Sequence, residues 1–168
     1  VRTRGDVLIL TDNSAHSMQY VGPPYTFSFN QIGSNCGAIG AHVAVEAENV
    51  VYWMSDETFF LFDGTVKELP CSVQDYIFDD FNFSQRGSNF AGVDLKHGEI
   101  NWFYASANST YIDRLVTYSY KEQVWTIGSL ARTTWKGADV FEYPFATRYS
   151  PNATTTANGN DAKHLRLA

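Results

Sequence analysis

Short apolar runs broken by turn residues recur along most of the chain. Residues 6–11 (DVLILT) read as a strand, Asp12-Asn13-Ser14 as a turn, and residues 15–21 (AHSMQYV) as the strand that pairs back. Gly22-Pro23-Pro24 then breaks the run, because proline donates nothing to a ladder. Residues 26–30 (TFSFN) alternate, and residues 31–38, with Gly33 and Gly37, predict a loop. A second set is sharper. It runs through strands at 41–46, 49–54 (NVVYWM), 58–62 (TFFLF) and 65–69 (TVKEL), with turns at Ala47-Glu48 and Ser55-Asp56-Glu57. Asp63-Gly64, between the last two strands, is the strongest short hairpin signal in the chain. A third set repeats the plan at 89–94, 99–105 (EINWFYA), 114–120 (RLVTYSY) and 123–127 (QVWTI), with a long polar loop at 106–113.

Residues 72–81 interrupt the strands. Ser72-Val73-Gln74-Asp75 has the form of a capping box, and Val73, Tyr76, Ile77 and Phe81 fall at helical spacing, which predicts one or two helical turns; an extended connector is the alternative. The strands of the third set are apolar on both sides: Ile100, Trp102 and Tyr104 point one way, Phe103 and Ala105 the other. Strands covered on both faces imply sheets stacked face to face.

The sets are repeats. Asn49-Val50-Val51-Tyr52-Trp53 matches Gly98-Glu99-Ile100-Asn101-Trp102, and Gly5-Asp6-Val7-Leu8-Ile9 has a similar shape. Four strands per unit at roughly 40–50 residues is the signature of a propeller blade, with a repeated sandwich hairpin as the competing reading. The expected fold is therefore all-β, made of antiparallel four-stranded blades in a partial or composite propeller. About three blades occupy residues 1–149. Residues 150–168 open with SPNATTTANGND, which has no aliphatic side chain larger than Ala, and read as a polar tail or linker. Closed propellers usually need 4–8 blades. The arithmetic, and a chain that starts at Val, predict part of a longer polypeptide or of an assembly that closes with other chains.

Composition sharpens this. Aromatic residues make up 15% of the chain and charged residues only 18%, the opposite of the disorder signature. A net charge of −6 argues against a dedicated binder of phosphate backbones. Cys36 and Cys71 form no C-x-x-C pair, and His16, His42, His97 and His164 are scattered, so no structural metal site is expected. No apolar run approaches the ~20 residues of a membrane helix, and no signal peptide is visible.

Catalytic signatures are missing: no G-x-S-x-G elbow, no H-E-x-x-H and no phosphate-binding Gly-rich loop. The acidic pairs Asp79-Asp80, Glu46/Glu48 and Asp56-Glu57 read as solvated turns. Arg4-Gly5-Asp6 and the sequons at Asn82, Asn108 and Asn152 read as coincidences. Phe59, Phe60 and Phe62, or Trp102, Phe103 and Tyr104, are candidates for a sugar-stacking platform, but strand-embedded aromatics ordinarily pack as core. Tyr111, set among polar residues in the 106–112 loop, is the better candidate for an exposed contact.

Three segments resemble the tail tube, nozzle or DNA-stabilisation proteins of short-tailed bacteriophages: residues 11–27 (TDNSAHSMQYVGPPYTF), 52–82 and 99–135. They carry Trp53-Met54-Ser55-Asp56, Phe62-Asp63-Gly64, Leu69-Pro70-Cys71, Asp113-Arg114-Leu115-Val116, Trp125-Thr126-Ile127-Gly128 and Arg132-Thr133-Thr134-Trp135. With Trp102, the residues Trp53, Asp63, Gly64, Trp125 and Trp135 form the expected blade motif. The resemblance implies a non-enzymatic, propeller-bearing subunit of the virion tail. It would be made in the host cytoplasm and sit in a homo-oligomeric ring, hexameric as in that family. That ring would lie beside adaptor and portal proteins and surround the DNA exit channel. No cofactor and no catalytic residue carry over. An acidic wall would let DNA pass without sticking. Two other classes compete. A carbohydrate-binding propeller module for host-receptor recognition would need exposed Trp or Tyr beside carboxylates in a groove. A propeller hydrolase would need carboxylates converging from several blades.

Overall fold

A computed structural model describes residues 1–3, 5–138, 142–148 and 165–166. Every strand pair in it is antiparallel, and the fold is all-β with blade-like four-stranded sheets. The chain divides into two compact units, Val1–Asp79 and Asp80–Ala168.

The first unit opens with a sheet of β1 (Val7–Leu10), β2 (Ser14–Tyr20) and β3 (Phe27–Ser34), in that order. The four-stranded sheet follows as a meander of β4 (Ala44–Ala47), β5 (Val50–Met54), β6 (Phe59–Phe62) and β7 (Val66–Leu69). Strand alternation sorts its side chains. Val51 and Trp53 lie opposite Phe62 and Phe60, and this face packs on Leu8 and Ala15 of the first sheet and on Cys36, just beyond β3. Met54 and Phe59 lie on the other face and are both fully buried. There Phe59 meets Phe78 of helix α1 (Gln74–Asp79) with ring centroids 5.8 Å apart. Large side chains buried on both faces, each contributing roughly 1.5–3 kcal/mol of transfer free energy, make β5 the axis of this unit.

Two local expectations are corrected here, and a third is borne out. The segment 31–38, expected as a loop, is the second half of β3 as far as Ser34. Gly33 breaks nothing: it ladders opposite Ala15, and a Cβ at that position would come 2.6 Å from Cys36 Sγ. Its glycine answers a packing demand. The β4–β5 turn is Glu48-Asn49, one residue later than expected, with both residues at positive φ (51° and 68°) and Ala47 still paired with Val50. Helix α1 falls inside the expected segment 72–81 and is of the expected one-to-two-turn size. It starts with the bond from Ile77 N–H to Val73 O (3.1 Å) and buries Ile77 alone, so one turn is all its apolar face supports.

The second unit begins with a 3-10 turn, Phe83–Ser88, capped by Asn82, whose side chain accepts from Ser84 N–H at 3.0 Å. Its four-stranded sheet contains β8 (Phe90–Asp94), β9 (Glu99–Tyr104), β10 (Arg114–Ser119) and β11 (Val124–Ser129), paired in sequence order. Ile100, Trp102, Phe103 and Tyr104 are all buried. On one face Tyr104 stacks on Phe81 (5.6 Å, 17°) and Trp102 on Trp125 (5.8 Å, 23°). On the other, Phe103 lies between Phe90 (4.6 Å) and Trp135 (5.5 Å).

Trp135 belongs to a small sheet with no counterpart in the sequence reading: β12 (Thr134–Lys136), β13 (Phe145–Thr147) and β14 (Leu165–Arg166). Strands of two or three residues are too short to show a period of two. Glycine makes the contact between the two sheets possible. A Cβ on Gly92 of β8 would overlap the Trp135 indole, and one on Gly137 would overlap the Val93 carbonyl. Within the segment expected as a polar tail, Leu165–Arg166 ladders on β13; residues 150–164 and 167–168 lie outside the described residues.

Candidate functional site

The expected blade-motif residues fall into three environments. Trp53 on β5 and Trp102 on β9 are fully buried. The Trp53 indole N–H donates to the Cys36 carbonyl at 2.9 Å, and its ring stacks on Phe60 at 5.7 Å. Trp125 is buried on β11, packed against Tyr118 as well as Trp102. Trp135 is half-buried, and its indole nitrogen has no hydrogen-bond partner among the described residues. Asp63 and Gly64 form an exposed turn: Asp63 Oδ1 accepts from Thr65 N–H and Oγ1 (3.3 and 3.2 Å), and Lys67 pairs with Oδ2. Gly64 has φ +117°, a backbone that only glycine adopts readily.

The aromatic runs do not form a sugar-stacking platform. Phe59, Phe62, Trp102, Phe103 and Tyr104 are buried and Phe60 packs against the core. Tyr111 is half exposed in a loop held by its own polar groups. Ser109 Oγ donates to Tyr111 O at 2.6 Å, and Asn82 Nδ2 donates to Ser109 O at 2.9 Å. Asp113 closes that loop by accepting from Ser106 N–H (2.8 Å) and Oγ (2.7 Å). Asn82 is therefore engaged at both ends of its carboxamide. Arg4 and Asn152 lie outside the described residues.

The sequence reading missed an exposed apolar feature. At the β2–β3 hairpin Tyr20 is 69% exposed, Tyr25 77%, Phe27 50% and Phe29 63%, with Val21 beside them. Tyr20 pairs with Phe27 across the ladder, rings edge to face at 5.9 Å. The signal was present: aromatics on both arms of a Pro-Pro-bounded hairpin, with β3 at the sheet edge. Contiguous exposed aromatics mark interaction surfaces, where isolated ones do not.

Charged groups are arranged as turn and loop fasteners. Asp80 Oδ2 accepts from Arg114 Nε at 2.9 Å. Asp94 accepts from the Lys96 and His97 backbone N–H groups and pairs with His97 Nδ1 at 2.9 Å. Burial pushes the Cys71 thiol up to about 11 and raises Cys36 as well. Burial raises the Tyr118 phenol, and burial next to Arg148 lowers the Arg132 guanidinium. Among the described residues no group of three or more His, Cys, Asp and Glu is placed to hold a metal ion. Among the described residues no helix is long and apolar enough to cross a membrane.

No protein-family model and no curated protein matches the chain.

Proposed function

We propose that this chain is a structural subunit of a bacteriophage tail, of the nozzle or tail-tube kind, forming part of the homo-oligomeric ring around the DNA exit channel. In this reading it is not an enzyme. It contacts neighbouring tail proteins and lets DNA pass without sequence-specific binding, as expected for a wall of net negative charge. In this reading each of the four-stranded meanders β4–β7 and β8–β11 is a propeller blade.

The observation that carries the reading is the exposed aromatic hairpin Tyr20–Tyr25–Phe27–Phe29 on an edge strand. Unpaired N–H and C=O groups on such an edge invite another chain, and the aromatics provide the anchors that protein interfaces favour. The resemblance of residues 52–82 and 99–135 to tail proteins supplies the identity of the assembly.

The test is the assembly state. Light scattering and negative-stain imaging of the purified chain should show concentration-dependent association into rings. The Phe27→Ser/Phe29→Ser variant should shift that equilibrium towards monomer without changing the circular dichroism spectrum. A monodisperse monomer at all concentrations, unaffected by the double substitution, would remove the proposal.

A further inference from the structure

A cleft of about 500 Å³ opens on the Asp80–Ala168 unit, above the face of the β8–β11 sheet that also carries Phe103. Its floor is a polar row in a strand set that is otherwise largely apolar. Asn101, Thr117 and Thr126 stand abreast on β9, β10 and β11, and Asn101 and Thr117 are buried. Neighbouring strands are about 4.8 Å apart, so the row presents polar groups at regular intervals across the sheet. Thr117 Oγ1 donates to Asn101 Oδ1 at 2.6 Å. With that oxygen engaged, the carboxamide N–H groups of Asn101 are its remaining donors, and the exposed hydroxyl of Thr126 adds a donor and an acceptor. Glu99, two residues before Asn101 on the same face of β9, supplies a carboxylate acceptor at one end of the row. Trp135 and Tyr143 make the wall, and Trp135 is fixed by its seat on Gly92 and Phe103.

We propose that this cleft binds a neutral saccharide. Three properties select that ligand class. Alternating donors and acceptors beside a flat aromatic wall match a ring that carries hydroxyls on its edge and C–H groups on its faces. An apolar ligand would leave Asn101 and Thr126 desolvated and unpaired, which is costly. Anionic ligands meet Glu99 and Glu142 at the rim, and Asp94 already pairs with His97, the neighbour of the rim cation Lys96. The proposal rests on the cleft alone and holds whether or not the chain is a tail subunit.

The experiment is a tryptophan-fluorescence titration of the full chain with maltotetraose, chitotetraose and lactose, and with heparin as the anionic comparator. Saturation-transfer NMR on the same samples reports which sugar protons contact the protein. At least one neutral sugar should give a saturable change, and heparin none. Thr126→Val and Glu99→Gln, both outside the buried core, should weaken that binding about tenfold, while Tyr111→Ala leaves it unchanged. Asn101→Ala should abolish it, with the urea midpoint reporting separately on folding. Failure of all three neutral sugars to saturate at millimolar concentration would overturn the proposal. So would binding that Thr126→Val and Glu99→Gln leave intact, or heparin binding as well as the sugar. None of these results depends on whether the chain forms rings.

Discussion

Trp53 and Trp102 each stand fourth in the second strand of a four-stranded antiparallel sheet, directly opposite an alanine of the first strand, Ala44 and Ala91. Each indole then stacks on an aromatic ring at nearly the same separation, Phe60 at 5.7 Å and Trp125 at 5.8 Å. The alanine pairing is thus used twice, in two separately compact units, while the stacking ring comes from the adjacent strand β6 in one and from β11, two strands away, in the other.

Truncating either indole removes one of the largest fully buried side chains of its unit. Trp53→Ala and Trp102→Ala should each cost about 3–5 kcal/mol, read as a drop in the urea midpoint. Trp53→Phe keeps most of the volume but leaves the Cys36 carbonyl without its buried donor, so a cost of about 1–3 kcal/mol is expected. Equal stability of Trp53→Phe and wild type would show that this hydrogen bond contributes nothing.

The seat of β12 on β8 depends on a missing Cβ. Gly92→Val would drive a side chain into the Trp135 ring, with a cost of about 1–3 kcal/mol for overpacking. Trp135 is half-buried and held between Gly92 and Phe103, so its displacement should appear as a red shift in emission. In a Trp135→Phe background the red shift on adding Gly92→Val should disappear. A shift of the same size there would place its origin at another tryptophan.

Stability should fall in alkaline solution through the thiols. Cys71 is raised by burial from 9.0 to about 11, and Cys36 moves in the same direction. A folded value above the unfolded one means that the unfolded chain releases its proton first as pH rises. The contribution is therefore fully present below pH 9 and is lost between about 9 and 11. Urea midpoints at pH 8 and 10.5 should differ less for Cys71→Ala than for wild type. Iodoacetamide at pH 8 should label folded Cys71 much more slowly than the unfolded chain, since only the thiolate reacts.

How much of this was legible in the sequence depended on whether a residue's local signal agreed with its tertiary role. Asp63-Gly64 announced its hairpin because glycine at positive φ is a local requirement. The strands around Trp53 and Trp102 were legible because long apolar runs leave little else for them to be. Gly33 and Gly92 misled or stayed silent, since what they answer to, Cys36 Sγ and the Trp135 ring, becomes adjacent only after folding. The polar row of the cleft was hidden for a related reason. Asn101, Thr117 and Thr126 are far apart in sequence, and only the strand register brings them abreast. Tyr111 was legible as exposed because its loop is polar throughout. The aromatic hairpin was not, because alternating Phe27 and Phe29 read equally well as core.

The β4–β5 turn offers a test in which the sequence works against the structure. Its two residues, Glu48 and Asn49, both sit at positive φ, the type I′ geometry that suits the twist of paired strands. Glutamate is poorly suited to that region, where a Cβ is penalised by about 1–2 kcal/mol. The turn survives because Glu46 Oε1 accepts from Asn49 N–H at 2.6 Å and because β5 is held on both faces. Placing the preferred pair there, Glu48→Asn with Asn49→Gly, should relieve the strain and raise stability by about 0.5–1 kcal/mol, less than the full penalty because glycine adds unfolded-state entropy. Glu46→Gln in wild type should cost a few tenths of a kcal/mol at this exposed site. The urea midpoint of the double variant should rise with its m-value unchanged. A fall in the midpoint would mean that the backbone at Glu48 carries no strain to relieve.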